Sequence, residues 1–143
     1  MNLSEHFTVE EFEYSQTALR AGIDNTIPPA LMNHAIDLCQ NVLEKVREHF
    51  GLPVHIDSGY RSIALNTIVP GSSNTSQHTL CEAADITIKG VKLLDIFKYI
   101  QDNLDFDQLI FEYSSWVHVS WSDRQRKETL RKDTGTSYIP FKV

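Results

Sequence analysis

Cysteine is scarce in this chain. Cys39 and Cys81 are the only two in 143 residues, too few for a disulfide scaffold and not set in a Cys-x-x-Cys site. Positive charge is also short: 13 Lys and Arg stand against 19 Asp and Glu, for a formal net charge of −6. Phosphate binding draws on excess Lys and Arg, so a broad nucleic-acid surface is excluded, and an anionic membrane offers no attraction. No apolar run is long enough to span a bilayer. The amino terminus, Met1 to Phe7, lacks the basic start and apolar stretch of a secretory signal, so the expectation is a chain that is cytoplasmic as made. No repeat, low-complexity tract or Pro/Gly/Ser linker divides the sequence, which points to a single domain over 1–143, expected as a monomer.

What is present reads as a globular protein, with 41% hydrophobic and 22% charged residues. Thr8-Val9-Glu10-Glu11 is a capping box and predicts a short helix after Thr8, and Ser15 caps a second turn running to Gly22. Pro28 and Pro29 suit the first turn of a long helix, with Leu31, Ala35, Leu38, Val42 and Val46 as its apolar stripe and Gly51 as its stop. Cys39 on this helix reads as a buried small apolar residue, while His34 and His49 read as surface or boundary positions. This helical part spans 1–52.

From Pro53 the period changes to two. Val54 and Ile56 alternate with His55 and Asp57 in a first strand, and Ser62 to Leu65 begins a short helix. Val69 to Ser76 is a loop that delivers His78. Ala84 to Ile88 is a second strand, and Val91 to Leu104 an amphipathic helix with Leu94, Phe97, Ile100 and Leu104 on its apolar side. Gln108 to Tyr113 and Trp116 to Trp121 form two more strands in a hairpin around Ser114-Ser115. The charged residues past Ser122 read as a solvated, loosely helical tail, so the sheet and its site fall in 53–121 and the tail in 122–143. Helices followed by strands of this kind predict an α+β fold, an antiparallel sheet with helices packed on one face.

The alternation places the chemistry. Trp116, His118 and Ser120 share one face of the last strand, and Gln108, Ile110 and Glu112 share a face of the strand before it. Asp85, Glu112 and His118 therefore converge on the polar side of the sheet. Asp85 sits between Ala84 and Ile86, and a carboxylate in such a place calls for a cation or another partner. His78, Asp85 and His118 make two imidazoles and a carboxylate, a ligand set that zinc accepts with one tetrahedral position left for water. Glu112 is then a carboxylate free to stay off the metal and take that water's proton. Cys81, inside the same segment, is a possible thiolate ligand that this set does not require.

The motifs carry a resemblance. Ser58-Gly59-Tyr60-Arg61-Ser62, Ser76-Gln77-His78 through Ala83-Ala84-Asp85-Ile86, and Glu112 with Trp116-Val117-His118 occur in one order. That order resembles the zinc D-alanyl-D-alanine carboxypeptidase family, which also contains L-alanyl-D-glutamate endopeptidases that cut peptidoglycan peptides. Ser4 to Thr8 and Glu10-Glu11-Phe12 resemble its small single-domain subgroup of phages and prophages. The resemblance implies the hedgehog/DD-peptidase-like fold, zinc on His78, Asp85 and His118, and Glu112 as general base. It implies Arg61 as the cationic residue that binds substrate or steadies developing negative charge. Ser76 and Gln77 would line the cleft, with Tyr60 and Trp116 as its walls, and the partner would be a peptidoglycan peptide. The family has glycine where this chain has Cys81, which leaves open an altered backbone there or a redox-sensitive site.

Two other classes compete with a peptidase. A non-catalytic module that keeps the zinc fold and binds wall peptides would have no need of Glu112. A non-haem iron oxygenase also uses two histidines and a carboxylate, but six residues separate His78 from Asp85, too many for the usual close spacing of that site. The lack of an export signal suits a peptidase released to the wall by a separate lysis system, or one that turns over peptides in the cytoplasm.

Overall fold

The computed structural model describes residues 1–143. Thr8 caps α1 (Val9–Glu13): its side chain accepts from the Glu11 amide, and Glu11 reaches back to the Thr8 amide. Ser15 caps α2 (Gln16–Ala21), which ends on Gly22 in the left-handed region. Pro29–Leu31 forms a 3-10 turn that leads into α3 (Met32–Leu38), a π-helical turn at Cys39–Leu43, and α4 (Glu44–Phe50), stopped by left-handed Gly51. The π turn carries the Glu44 N to Cys39 O hydrogen bond and inserts one extra residue into the repeat. Ala35, Leu38, Val42 and Val46 are buried as the stripe predicts, Cys39 is buried as expected, and Leu43 joins them in the core.

Six strands form one sheet in the order β1-β2-β4-β3-β5-β6. They are β1 (His55–Ser58), β2 (Ala83–Thr87), β3 (Gln108–Glu112), β4 (Trp116–Ser120), β5 (Glu128–Lys132) and β6 (Ile139–Pro140). Neighbours are antiparallel except β3 and β5, which run parallel. Ala84, Ile86, Leu109, Phe111, Val117 and Val119 point to one face and share a core with α3, α4 and α6 (Leu93–Asn103). Asp85, Ile110, Glu112 and His118 take the opposite face and line a cleft. The α+β architecture is thus the expected one, with period two dividing an apolar face from a chemical one.

Two expectations are corrected. In α6 the buried side chains are Ile96, Phe97 and Ile100, while Leu94 is 43% exposed. Leu93 and Leu94 both fit helical spacing to Phe97 and Ile100, and the sheet selects the stripe through Ile96. The residues after Ser122 do not form a helical tail: β5 pairs with the free edge of β3, and β6 pairs with β5. An open strand edge offers a full row of backbone partners, which charge pattern alone does not reveal. The charges themselves are accommodated on the strand, since the Arg131 guanidinium lies over Phe111 and Phe141 at 5.3 and 5.5 Å from their ring centres.

The helical amino-terminal part is joined to the sheet at Gly59. Tyr60 N donates to Phe12 O at 2.8 Å, and a Cβ on Gly59 would lie 2.8 Å from the Cα of fully buried Phe12. Backbone at that distance has no rotamer by which to yield. Gly59→Ala is therefore expected to destabilise the fold by about 1–3 kcal/mol, the range for overpacking. Thermal unfolding of parent and variant checks this, and an unchanged melting temperature would mean that α1 shifts at no cost.

Candidate metal centre

Register builds the site before any side chain is considered. Asp85 on β2 lies opposite His118 on β4, and His118 lies opposite Ile110 on β3, so one row crosses three adjacent strands. His118 Nδ1 stands 2.9 Å from Asp85 Oδ1. A bulge between Ile56 and Ser58 sets Ser58, not Asp57, opposite Asp85, and so aims the following Gly59-Tyr60-Arg61 over the same row.

His78 arrives from outside the sheet, on a 3-10 turn (Gln77–Leu80) that follows the Val69–Ser76 loop. Ser76 caps that turn, its hydroxyl accepting from His78 N at 3.2 Å. The His78 ring donates from Nδ1 to Gly59 O at 2.7 Å. A carbonyl only accepts, so Nδ1 holds the proton and the Nε2 lone pair is turned inward. Nε2 is 3.3 Å from Asp85 Oδ1 but not in line for a hydrogen bond, and it is the one buried side-chain polar atom left without a partner. Unpartnered buried polar atoms are rare and call for an explanation. Ligand atoms of His78, Asp85 and His118 all lie within 4.8 Å of one another, and all three residues are buried, so the trio can hold a metal ion. Two nitrogens and a carboxylate oxygen suit zinc, and the backbone carbonyl behind His78 is the usual outer partner of a metal-binding imidazole.

Charge in the pocket is tightly paired. Burial would raise the Asp85 carboxyl, but the neighbouring His78 ring and the hydrogen bond from His118 outweigh it and hold it well below the usual carboxylate range. Burial would lower His118, yet the hydrogen bond and charge of Asp85 leave it above its ordinary value. Arg61 adds a cation: Nη2 is 3.5 Å from Asp85 Oδ2, Nε donates to Ser58 Oγ at 3.1 Å and Nη1 to Asn66 Oδ1 at 3.3 Å. Its backbone N donates to His78 O at 3.1 Å, tying it to the metal turn. Arg61 thus belongs to the cleft and is no surface ion-pair residue. Glu112, opposite Trp116 at the end of the hairpin, has Oε1 3.4 Å from His118 Nδ1 and accepts from Trp116 Nε1 at 3.2 Å. It sits beside the trio without belonging to it.

These residues line a cleft of about 750 Å³, and Ser76, Gln77 and Trp116 line it as expected. Tyr60 does not. It is 6% exposed and packed in the hydrophobic core, because the chain has turned inward at Gly59 to meet Phe12. Gln77 touches the cleft, but its amide is engaged on the protein side, with Nε2 donating to Asp107 at 2.9 Å and to Glu82 at 3.1 Å. Sequence reasoning missed Tyr113, Leu130, Tyr138, Arg124 and Arg126 on the walls. Leu130 and Tyr138 come from β5 and the turn into β6, the stretch misread as helical. It also missed Asp107, a fully buried carboxylate that follows Phe106 but precedes polar Gln108, and so lacks the two-sided apolar flank that singled out Asp85.

Cys81 answers the question raised by its place in the motif. Its φ is 59°, the left-handed region that favours glycine, so the backbone keeps the shape a glycine would give. The side chain is fully buried, and burial pushes its thiol up to about 12. It is packed in the hydrophobic core and stands outside the His78–Asp85–His118 group.

No curated protein matches the chain at a significant level. The family Peptidase M15 matches residues 5–120, which include every member of the trio, Arg61 and Glu112. Peptidases of this family are zinc-dependent, in agreement with the His-Asp-His set and the inward lone pair of His78. With most of its length matched and its buried site complete, the chain belongs to the M15 family of zinc metallopeptidases.

Proposed function

We propose that the protein hydrolyses D-amino-acid-containing peptide bonds of bacterial peptidoglycan, as a carboxypeptidase or an endopeptidase, with His78, Asp85 and His118 as its zinc ligands. The observation that carries this reading is Glu112, a buried carboxylate oriented by Trp116 and placed beside the trio but outside it. A protein that only bound peptides would gain nothing from a base in that position.

Zinc, when bound, supplies Lewis acidity and brings the pKa of a coordinated water toward neutrality. Glu112 then takes the proton of the attacking water, because its second oxygen is free while Oε1 is held by Trp116. Arg61 faces the same space and offers guanidinium hydrogens to the oxyanion that forms as the peptide carbonyl is attacked. Its contacts with Ser58 and Asn66 hold it in place in advance, so little reorganisation is needed. Glu112 passes its proton to the departing amine. A cleft of about 750 Å³ is of the size that encloses a short peptide. Release to the wall by a separate lysis system suits this substrate.

The parent and four variants test the proposal. The parent should hold about one zinc per chain, and His118→Ala should lose most of it, as read by elemental analysis. Full zinc retention in that variant would remove His118 from the ligand set. Glu112→Gln should keep its zinc and its affinity for a peptidoglycan peptide while hydrolysis falls by about a hundredfold or more. Asp85→Asn should instead lose zinc, since a neutral amide is the poorer ligand. Binding without hydrolysis in the parent itself would leave a wall-peptide binding module. Arg61→Lys should lower kcat/KM roughly tenfold with zinc content unchanged, because an ammonium cannot make two parallel hydrogen bonds to an oxyanion. Undiminished kcat/KM in that variant would take Arg61 out of the chemistry.

A further inference from the structure

A third buried carboxylate lies behind the metal turn. Asp107, just before β3, is fully buried and accepts from every side. Oδ1 takes Arg126 Nε at 2.7 Å and Arg126 N at 3.1 Å. Oδ2 takes Ser122 Oγ at 2.7 Å, Gln77 Nε2 at 2.9 Å and Arg126 Nη2 at 3.2 Å, with Arg124 Nη2 also at 3.2 Å. None of these donors belongs to the metal trio, and Ser122, Arg124 and Arg126 lie beyond the residues that the family match covers.

Gln77 is the link to the site. Both hydrogens of its amide are used, on Asp107 and on Glu82, and its oxygen accepts from Arg126 Nη2 at 3.4 Å. Its backbone oxygen accepts from Glu82 N at 3.0 Å. The next residue is His78. The 3-10 turn that carries both has four residues and ends on the left-handed Cys81, so it cannot hold its own position. Contacts from outside the turn must do so. The Gly59 carbonyl fixes the ring of His78, and the Gln77 amide fixes the peptide on which that ring is mounted.

We propose that Asp107 is a positioning residue of the metal site, acting through Gln77 to set the turn that carries His78. This rests on the zinc reading above. It assigns Gln77 to orientation of the ligand and not to contact with substrate. The latch on Ser122, Arg124 and Arg126 also makes the carboxy-terminal segment part of the metal centre, although no residue of that segment touches the trio.

The experiment measures two quantities on the full chain: the zinc dissociation constant by chelator competition, and the melting temperature of the zinc-free protein. Gln77→Leu keeps the bulk and removes the amide, and Asp107→Asn turns an amide hydrogen toward donors whichever way it lies. Both should weaken zinc binding by roughly threefold to tenfold at temperatures where the variants remain folded, less than the about 10–100-fold that follows loss of a group bonded directly to a metal ligand. Ile100→Val, in the core of α6, should lower the melting temperature and leave zinc affinity unchanged, which separates positioning from general stability. If either main variant fails to fold, Ser122→Ala, which removes a single hydrogen bond from Asp107, should still weaken zinc measurably. Parent-like zinc affinity in the folded variants overturns the positioning role alone. A parent that takes up no zinc overturns the function proposed above as well, and that result is read before any variant is made.

Discussion

A carboxylate buried in the middle of a strand governs what can surround it. Asp85 occupies the centre of β2, with strands on both sides and almost no solvent. An isolated charge there would cost several kcal/mol, so the fold must supply cations or neutralise the group. It supplies partners from three directions: His118 from the adjacent strand, the His78 ring from the turn above and the guanidinium of Arg61 from the end of β1. Each of these needs its own support. Gly59 must be glycine to bring Arg61 past Phe12 and present a carbonyl to His78, and the bulge in β1 must shift the register by one residue. Much of the local irregularity of the molecule therefore serves the surroundings of one anion.

The polar face was legible in the sequence because period two is a strict rule with few exceptions. With β2, β3 and β4 read as strands, Asp85, Glu112 and His118 could all fall on one side, and the register sets them there. His78 was not placed by any periodicity. Its position depends on a 3-10 turn and on hydrogen bonds to distant residues, and only its Ser-Gln-His context pointed to it. Tyr60 shows the limit of motif reasoning. It lies between Gly59 and Arg61, which both serve the site, yet the backbone turns it into the core.

What escaped the sequence has a common cause. The carboxy-terminal segment is rich in charge and short of apolar residues, and such composition usually means a solvated surface. Here the charges are spent on named partners: Arg126 on Asp107, Arg131 on Phe111 and Phe141. The stem of Arg131 covers the edge of the core much as an apolar residue would. Pairing of this kind depends on β5 lying parallel to β3, a long-range contact that no local pattern encodes.

Glu112 and Asp85 are both buried carboxylates, and their different environments suit the different work proposed for them. Asp85 has the ring of His78, the hydrogen bond from His118 and the guanidinium of Arg61 around it, and is held as a firm anion suited to staying on a cation. Glu112 has an indole hydrogen on Oε1, which also lies 3.4 Å from His118 Nδ1, and the cleft in front of its other oxygen. A base must give its proton back as well as take it, so it cannot be bound as tightly as a ligand. The separation of roles follows from position along two strands: the centre of β2 is enclosed by neighbours, while the last residue of β3 stands at the hairpin end where the cleft opens. Catalysis and metal retention can then be tuned separately by residues that the sheet itself keeps apart.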